Sequence, residues 1–255
     1  MSLVNRLILI TRPEPGATET ARLLHEQGAV ALVAPLMIIA PVEDPALLHE
    51  ALARLSSYDA VLLTSANGAR CFSAALPAGI TPPPLFAVGH KSASLLKARG
   101  WPVQVPDQPM GGEMLGAWLM QQMPAAKKVL FLRAEDGREE MIELLTRAGK
   151  EIETIPVYRS LPQTRLPDAV IERLPDIDAI PFFSPRSAEL FFELLSHTPA
   201  TLAPHTLIVA LSPLTAATLR QKGIRVDLLA KGRDDQGVVD ALADYWERSE
   251  KPPSA

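Results

Sequence analysis

Short apolar runs alternate along the chain with longer stretches of helical period. "RLILI" (6–10), "AVALVAP" (29–35), "DAVLLTS" (59–65), "LFAVG" (85–89) and "PVQVP" (102–106) are too short for helices. They are rich in Val, Ile and Leu at consecutive positions, which predicts strands buried on both faces. Between them, apolar residues recur three and four apart, and Gly28, Gly100, Gly149 and Gly223 stand where helices should end. Buried strands alternating with helices predict an α/β protein with parallel sheets covered on both sides.

The pattern occurs twice. "RLILITRPEPGATETARLLHEQGAVALVAPLMIIAP" and "KKVLFLRAEDGREEMIELLTRAGKEIETIPVYRSLP" align with Arg12 on Arg133, Gly16 on Gly137, Gly28 on Gly149 and Pro35 on Pro156, a constant offset of 133 − 12 = 121. "YDAVLLTSANGARCF" and "IDAIPFFSPRSAELF" follow at 184 − 65 = 119, and "AVGHKSASLLKARG" and "ALSPLTAATLRQKG" at 223 − 100 = 123. The chain therefore carries two copies of one plan. In each copy the second strand leads into a Pro-bracketed extended segment, "PLMIIAP" or "PVYRSLP". If these two pair as a ladder, the chain crosses twice between two lobes: 1–36 with 166–250, and 42–156. Residues 37–41 and 157–165 then form the hinge beside a cleft, and the tail 251–255 is expected to be disordered.

The totals narrow the function. At 255 residues and 47% hydrophobic the chain can bury a large core. No apolar run approaches the roughly 18–20 residues of a membrane span, and the N-terminal stretch lacks a signal-peptide cleavage pattern, so a cytoplasmic protein is expected. The single cysteine, Cys71, excludes an internal disulfide framework and a multi-thiolate metal site. A net charge of −4 with mixed signs argues against nucleic-acid or membrane-surface partners. The five histidines fall at no metal-ligand spacing and read as ordinary surface or structural residues. Nothing demands more than a monomer.

In open α/β sheets ligands bind beyond the carboxyl ends of the strands. That rule selects Thr11 and Arg12; Ser65 and Asn67; Gly89, Lys91 and Ser92; Arg133 and Arg138; Ser184 and Arg186; and Ser212 and Thr215. Helix starts there offer free backbone N–H groups to anions, and with the cations they describe a pocket for a ligand bearing several carboxylates or phosphates. The competing reading makes Ser65, Ser92, Ser184 and Thr215 ordinary helix N-caps. The acidic pairs Glu135–Asp136 and Asp234–Asp235 read as loop charges. Tyr158, in "PVYRSLP", has Met37 as its counterpart and is either a half-buried strand aromatic or a phenol able to donate a proton. No nucleophile elbow, phosphate-binding loop or dinucleotide motif follows a strand. These residues leave open an enzyme, a hinged binder of small anions, and a glycosyl or phosphoryl transferase.

With "TSANGA", "AVGHKSASLL", "RAEDGREEMIELLTRAGKEIETIPVYRS", "FFSPRSAELFF" and "SPLTAATLRQKGI" in this order, the chain resembles the uroporphyrinogen-III synthase family from Leu7 to about Leu242. The resemblance implies two flavodoxin-like or Rossmann-like lobes joined by a two-stranded ladder. It implies conversion of hydroxymethylbilane to uroporphyrinogen III, with loss of water, ring closure and inversion of the last pyrrole ring, and no metal or organic cofactor. By it, Tyr158 is the family's catalytic tyrosine, Ser92 and Thr215 its hydroxyls after the fourth-strand turns, and Ser65 and Ser184 its strand-end serines. Hydroxymethylbilane synthase is implied as a transient partner. One departure is that Ser212 stands where a glycine is usual, which puts close backbone approach at that turn in doubt.

Overall fold

The computed structural model describes residues 3–108, 110, 112–137, 139–232 and 234–249. The chain opens with β1 (Leu7–Ile10), α1 (Gly16–Glu26), β2 (Val30–Val33) and β3 (Met37–Ala40). It continues through α2 (Ala46–Ala53), β4 (Ala60–Leu63), α3 (Ala66–Ala75), β5 (Leu85–Ala87), α4 (His90–Lys97), β6 (Val103–Gln104), α5 (Gly112–Gln122), β7 (Lys128–Ala134), α6 (Glu140–Arg147) and β8 (Glu151–Pro162). It closes with α7 (Asp168–Arg173), β9 (Ala179–Phe182), α8 (Pro185–Ser196), β10 (Leu207–Ala210), α9 (Pro213–Gln221), β11 (Leu228–Leu229) and α10 (Asp235–Ser249). The proline segment 77–84 forms an irregular connector.

The chain divides into two compact units, one made of the chain up to Ile38 together with the chain from Leu161 onward, the other of Ile39–Ser160. The first unit holds a sheet of order β11-β10-β9-β1-β2, and the second a sheet of order β3-β8-β7-β4-β5-β6. Apart from β3 the two orders are the same once the repeat is applied: β11 corresponds to β6, β10 to β5, β9 to β4, β1 to β7 and β2 to β8. The register repeats as well. Leu7 faces Val30 and Lys128 faces Glu151, each pair displaced by 128 − 7 = 151 − 30 = 121. Each sheet thus takes its β-α-β half from one copy and its remaining strands from the other.

The apolar runs become the central strands because alternate side chains feed opposite layers. In the first unit Leu7, Leu9, Ile180, Phe182 and Ile208 pack beneath α7, α8 and α9, while Ile8, Ile10, Ala179, Leu207 and Val209 face α1 and α10. In the second, Val61, Leu63, Leu130 and Leu132 meet α2, α3 and α4, and Ala60, Leu62, Val129 and Phe131 meet α5 and α6. Each fully buried Leu, Ile or Phe contributes about 1.5–3 kcal/mol. The run "AVALVAP" departs from the expectation of two covered faces: β2 is the edge of its sheet, and Val30 and Val33 are exposed.

Gly28, Gly100, Gly149 and Gly223 do end helices, in the left-handed region at φ of 86°, 77°, 79° and 74°. There a residue with a Cβ is strained, and so Gly is required. The end of α5 is held differently. Lys150, 7% exposed, donates from Nζ to Met123 O at 2.8 Å, to Pro124 O at 3.2 Å and to Ala126 O. Lys150→Met keeps the aliphatic stem and strands those carbonyls, and should cost about 2 kcal/mol in urea unfolding; an unchanged midpoint would show that the ammonium contributes nothing there.

Candidate active site

In the second unit the ends of β4 and β7 lie beside Tyr158. β8 runs parallel to β7 in regular register until Arg133 faces Pro156, after which Ala134 faces Tyr158. One extra residue, Val157, is thereby inserted, and such a bulge re-aims the side chain that follows it. Strict alternation would send Tyr158 to the face opposite Ile155 and Val157; instead all three join one core cluster. Tyr158 is 8% exposed, and its hydroxyl donates to Ser65 Oγ at 3.1 Å. Burial raises the phenol above its ordinary value and the Asp136 charge adds to this, while the Ser65 hydrogen bond opposes both. At neutral pH the group is a proton donor.

Ser65 follows β4 in extended conformation and N-caps α3, its Oγ accepting from Gly68 N–H at 3.0 Å. A Cβ at Gly68 would stand 3.3 Å from Leu132 O, so the first turn of α3 lies directly against β7. Asn67 accepts from Arg70. Gly89 caps α4 without a side chain, Lys91 lies exposed in its first turn, and Ser92 is buried at its third residue.

Arg133, at the end of β7, folds back over its own turn. It donates to Glu139 Oε1 at 2.8 Å and to Gly137 O. A cavity of about 250 Å³ lies against it, lined by Thr64, Phe131, Arg133, Met141, Leu144 and Tyr158 among others. Arg138 lies outside the described residues, as does the tail 251–255.

In the first unit Ser184 caps α8 by accepting from Ser187 N–H at 3.2 Å, and Ser212 caps α9 by accepting from Thr215 N–H at 3.2 Å. Ser212 has φ −138° and ψ 157°, extended backbone matching the φ −130° and ψ 150° of its counterpart Gly89. Serine in place of glycine therefore leaves the turn's conformation intact. Arg186 is exposed on the first turn of α8. Thr11 is 1% exposed, and its Oγ1 has no hydrogen-bond partner among the described residues.

Two expectations need correction. Ser92 and Thr215 are not N-caps: the caps are Gly89 and Ser212, three residues earlier, and both hydroxyl residues lie buried inside the first helical turn. Nor is Asp234–Asp235 a pair of loop charges. Asp234 caps the start of α10 by accepting from Gly237 N–H at 2.9 Å, and Asp235, 5% exposed, is ion-paired to Arg12. The Thr20 hydroxyl lies 2.7 Å from Asp235 Oδ1, and the Arg12 guanidinium stacks 4.0 Å from the Phe183 ring centre. Burial lowers the Arg12 guanidinium from its ordinary value, and Asp235 opposes that shift. Arg12 is thus committed to Thr20, Phe183 and Asp235 within the first unit. Thr20 and Asp235 were missed because Asp235 is 223 residues from Arg12 and no local spacing announces it. The exposed pair Glu135–Asp136 and all five histidines, also exposed, agree with the sequence reading.

Comparison with known proteins supplies the family. The family model described as Uroporphyrinogen-III synthase HemD matches residues 18–240. Uroporphyrinogen-III synthase of Synechococcus elongatus is 26% identical over 96% of this chain and 97% of its own. That of Chlorobaculum parvum is 24% identical over 94% and 98%. Among solved structures, a mutant uroporphyrinogen III synthase of the extreme thermophile Thermus thermophilus superposes with a TM-score of 0.63 at 16% identity, covering 96% of this chain and 100% of that one. The enzyme from Helicobacter pylori gives 0.57 at 18% identity, over 92% and 97%. These likenesses in structure carry the fold, and the match along most of the sequence carries the membership: the chain belongs to the uroporphyrinogen-III synthase family of porphyrin biosynthesis.

Proposed function

We propose that this chain converts hydroxymethylbilane to uroporphyrinogen III, with Tyr158 as the acid that assists departure of the terminal hydroxyl. The observation that carries this reading is the position of the Tyr158 hydroxyl, held at a strand end by Ser65 beside a helix N-terminus. Tyr158 donates its proton as the hydroxymethyl C–O bond breaks. The hydroxyl leaves as water, and an azafulvene cation remains. That cation is attacked by the substituted carbon of the last pyrrole ring, and the resulting spiro intermediate fragments and recloses with the ring inverted; the ring then loses a proton, and the phenolate of Tyr158 is reprotonated.

Carboxylates of the substrate suit the amide-rich starts of α3 and α4 in the second unit, capped by Ser65 and Gly89, with Lys91 and Arg133; the starts of α8 and α9 in the first unit, capped by Ser184 and Ser212, with Arg186, offer anions the same feature. Asn67, Ser92 and Thr215 lie in the first turns of α3, α4 and α9, and Thr11 and Arg12 follow β1. Much of the rate then comes from holding the last ring so that inverted closure outruns the uninverted one. No step calls on a metal or an organic cofactor. The chain works as a cytoplasmic monomer that takes its unstable substrate from hydroxymethylbilane synthase in passing. Among the described residues no helix is long and apolar enough to cross a membrane.

Purified protein given hydroxymethylbilane should consume it at a rate unchanged by prior dialysis against a chelator. Loss of turnover on chelation, restored by a metal, would overturn the cofactor-free route.

A further inference from the structure

The repeat puts Arg12 and Arg133 at equivalent places, each folded over the glycine four residues on. A Cβ at Gly16 would stand 2.5 Å from Arg12 Nε, and one at Gly137 2.7 Å from Arg133 Nε. Their counter-ions differ. Arg12 faces the buried Asp235, whereas Arg133, itself buried, faces Glu139, whose side chain is 67% exposed. A buried carboxylate cannot be exchanged without stranding a charge; an exposed one returns to water at little loss. Arg133 is therefore the arginine of the pair whose partner can be replaced.

Beside it lies the cavity of about 250 Å³ described above. Whole-ligand sites run from roughly 300 to 1,000 Å³, so this one admits part of a tetrapyrrole. Phe131, Met141 and Leu144 offer apolar walls to a flat ring, Arg133 offers a cation, and Tyr158 shares the lining. Glu140 also lines the cavity and opposes an anion there.

We infer that this cavity takes the carboxylate-bearing pyrrole ring that carries the hydroxymethyl group, with Arg133 binding its carboxylate and Glu139 serving as a stand-in that the substrate displaces. The inference rests on the function proposed above and assigns one ring of that substrate to a place within the second unit. It also brings the hydroxymethyl group to Tyr158.

The test is steady-state kinetics of the full chain on hydroxymethylbilane, with thermal melting of each variant. Glu139→Gln removes the competing charge and should lower KM by roughly three- to tenfold, the scale of one unit charge about 4 Å away near water, with a smaller change in kcat. Met141→Trp fills the cavity and should raise KM by more than tenfold while the melting temperature holds. A KM that stays level or rises in well-folded Glu139→Gln would overturn the assignment. Should that variant melt early, an unchanged KM in Met141→Trp would overturn it instead. Failure of the wild-type chain to make uroporphyrinogen III would defeat the functional reading itself, which keeps the two failures distinct.

Discussion

Replacing Tyr158 with Phe should slow uroporphyrinogen III formation by roughly 10- to 1,000-fold, the loss expected on removing one oriented proton donor while backbone binding of the substrate is kept. Phe retains the ring that packs among Ile155, Val157 and the core of the second unit, and only the hydroxyl on Ser65 is lost. The melting temperature should barely move. The sign of the pH dependence follows from the raised phenol. A group whose folded value lies above its unfolded one, near 10, holds its proton throughout the neutral range. The ratio of wild-type to variant rate should therefore be the same at pH 7 and pH 9, and should shrink only above about 10 as the wild-type donor is lost. Equal rates for the two proteins at pH 7 would remove Tyr158 from the chemistry.

The second large effect falls on stability. Asp235→Ala leaves the Arg12 guanidinium partly buried without its counter-ion, and breaking such a pair from one side costs about 3 kcal/mol or more. For a chain of this size that is a fall in melting temperature of roughly 6–12 °C. The double variant Arg12→Met, Asp235→Leu should recover most of the loss, because an apolar pair of similar volume often replaces a buried ion pair at little cost. Thr20 keeps a partner in it, since its hydroxyl also lies 3.0 Å from Gly16 O. A single variant as stable as the wild type would mean that Arg12 finds water enough to stay solvated.

The fold was legible because its signals are local and doubled. Buried strands write themselves as continuous apolar runs, positive-φ helix ends demand glycine, and the offset near 121 ties the two copies together residue by residue. That offset also carries the shared strand order. What escaped the sequence depends on distance or on a break in period. The bulge at Val157 turns Tyr158 against the alternation that a reader must assume, and Arg12 finds Asp235 across 223 residues. The cap of α4 has no side chain to announce it, so the hydroxyl three residues later, Ser92, drew the assignment instead. Individual strand-end residues such as Ser65, Ser184 and Ser212 could be picked from the rule that ligands favour the carboxyl ends of strands. The cavity beside Arg133 could not, since it depends on how α6 lies over β7.

The most direct measurement is the isomer composition of the product when the purified chain meets freshly generated hydroxymethylbilane. Uroporphyrinogen III should predominate and its share should grow with protein concentration, falling back toward isomer I when Tyr158→Phe is used. Isomer I alone, formed at the rate seen without protein, would contradict it.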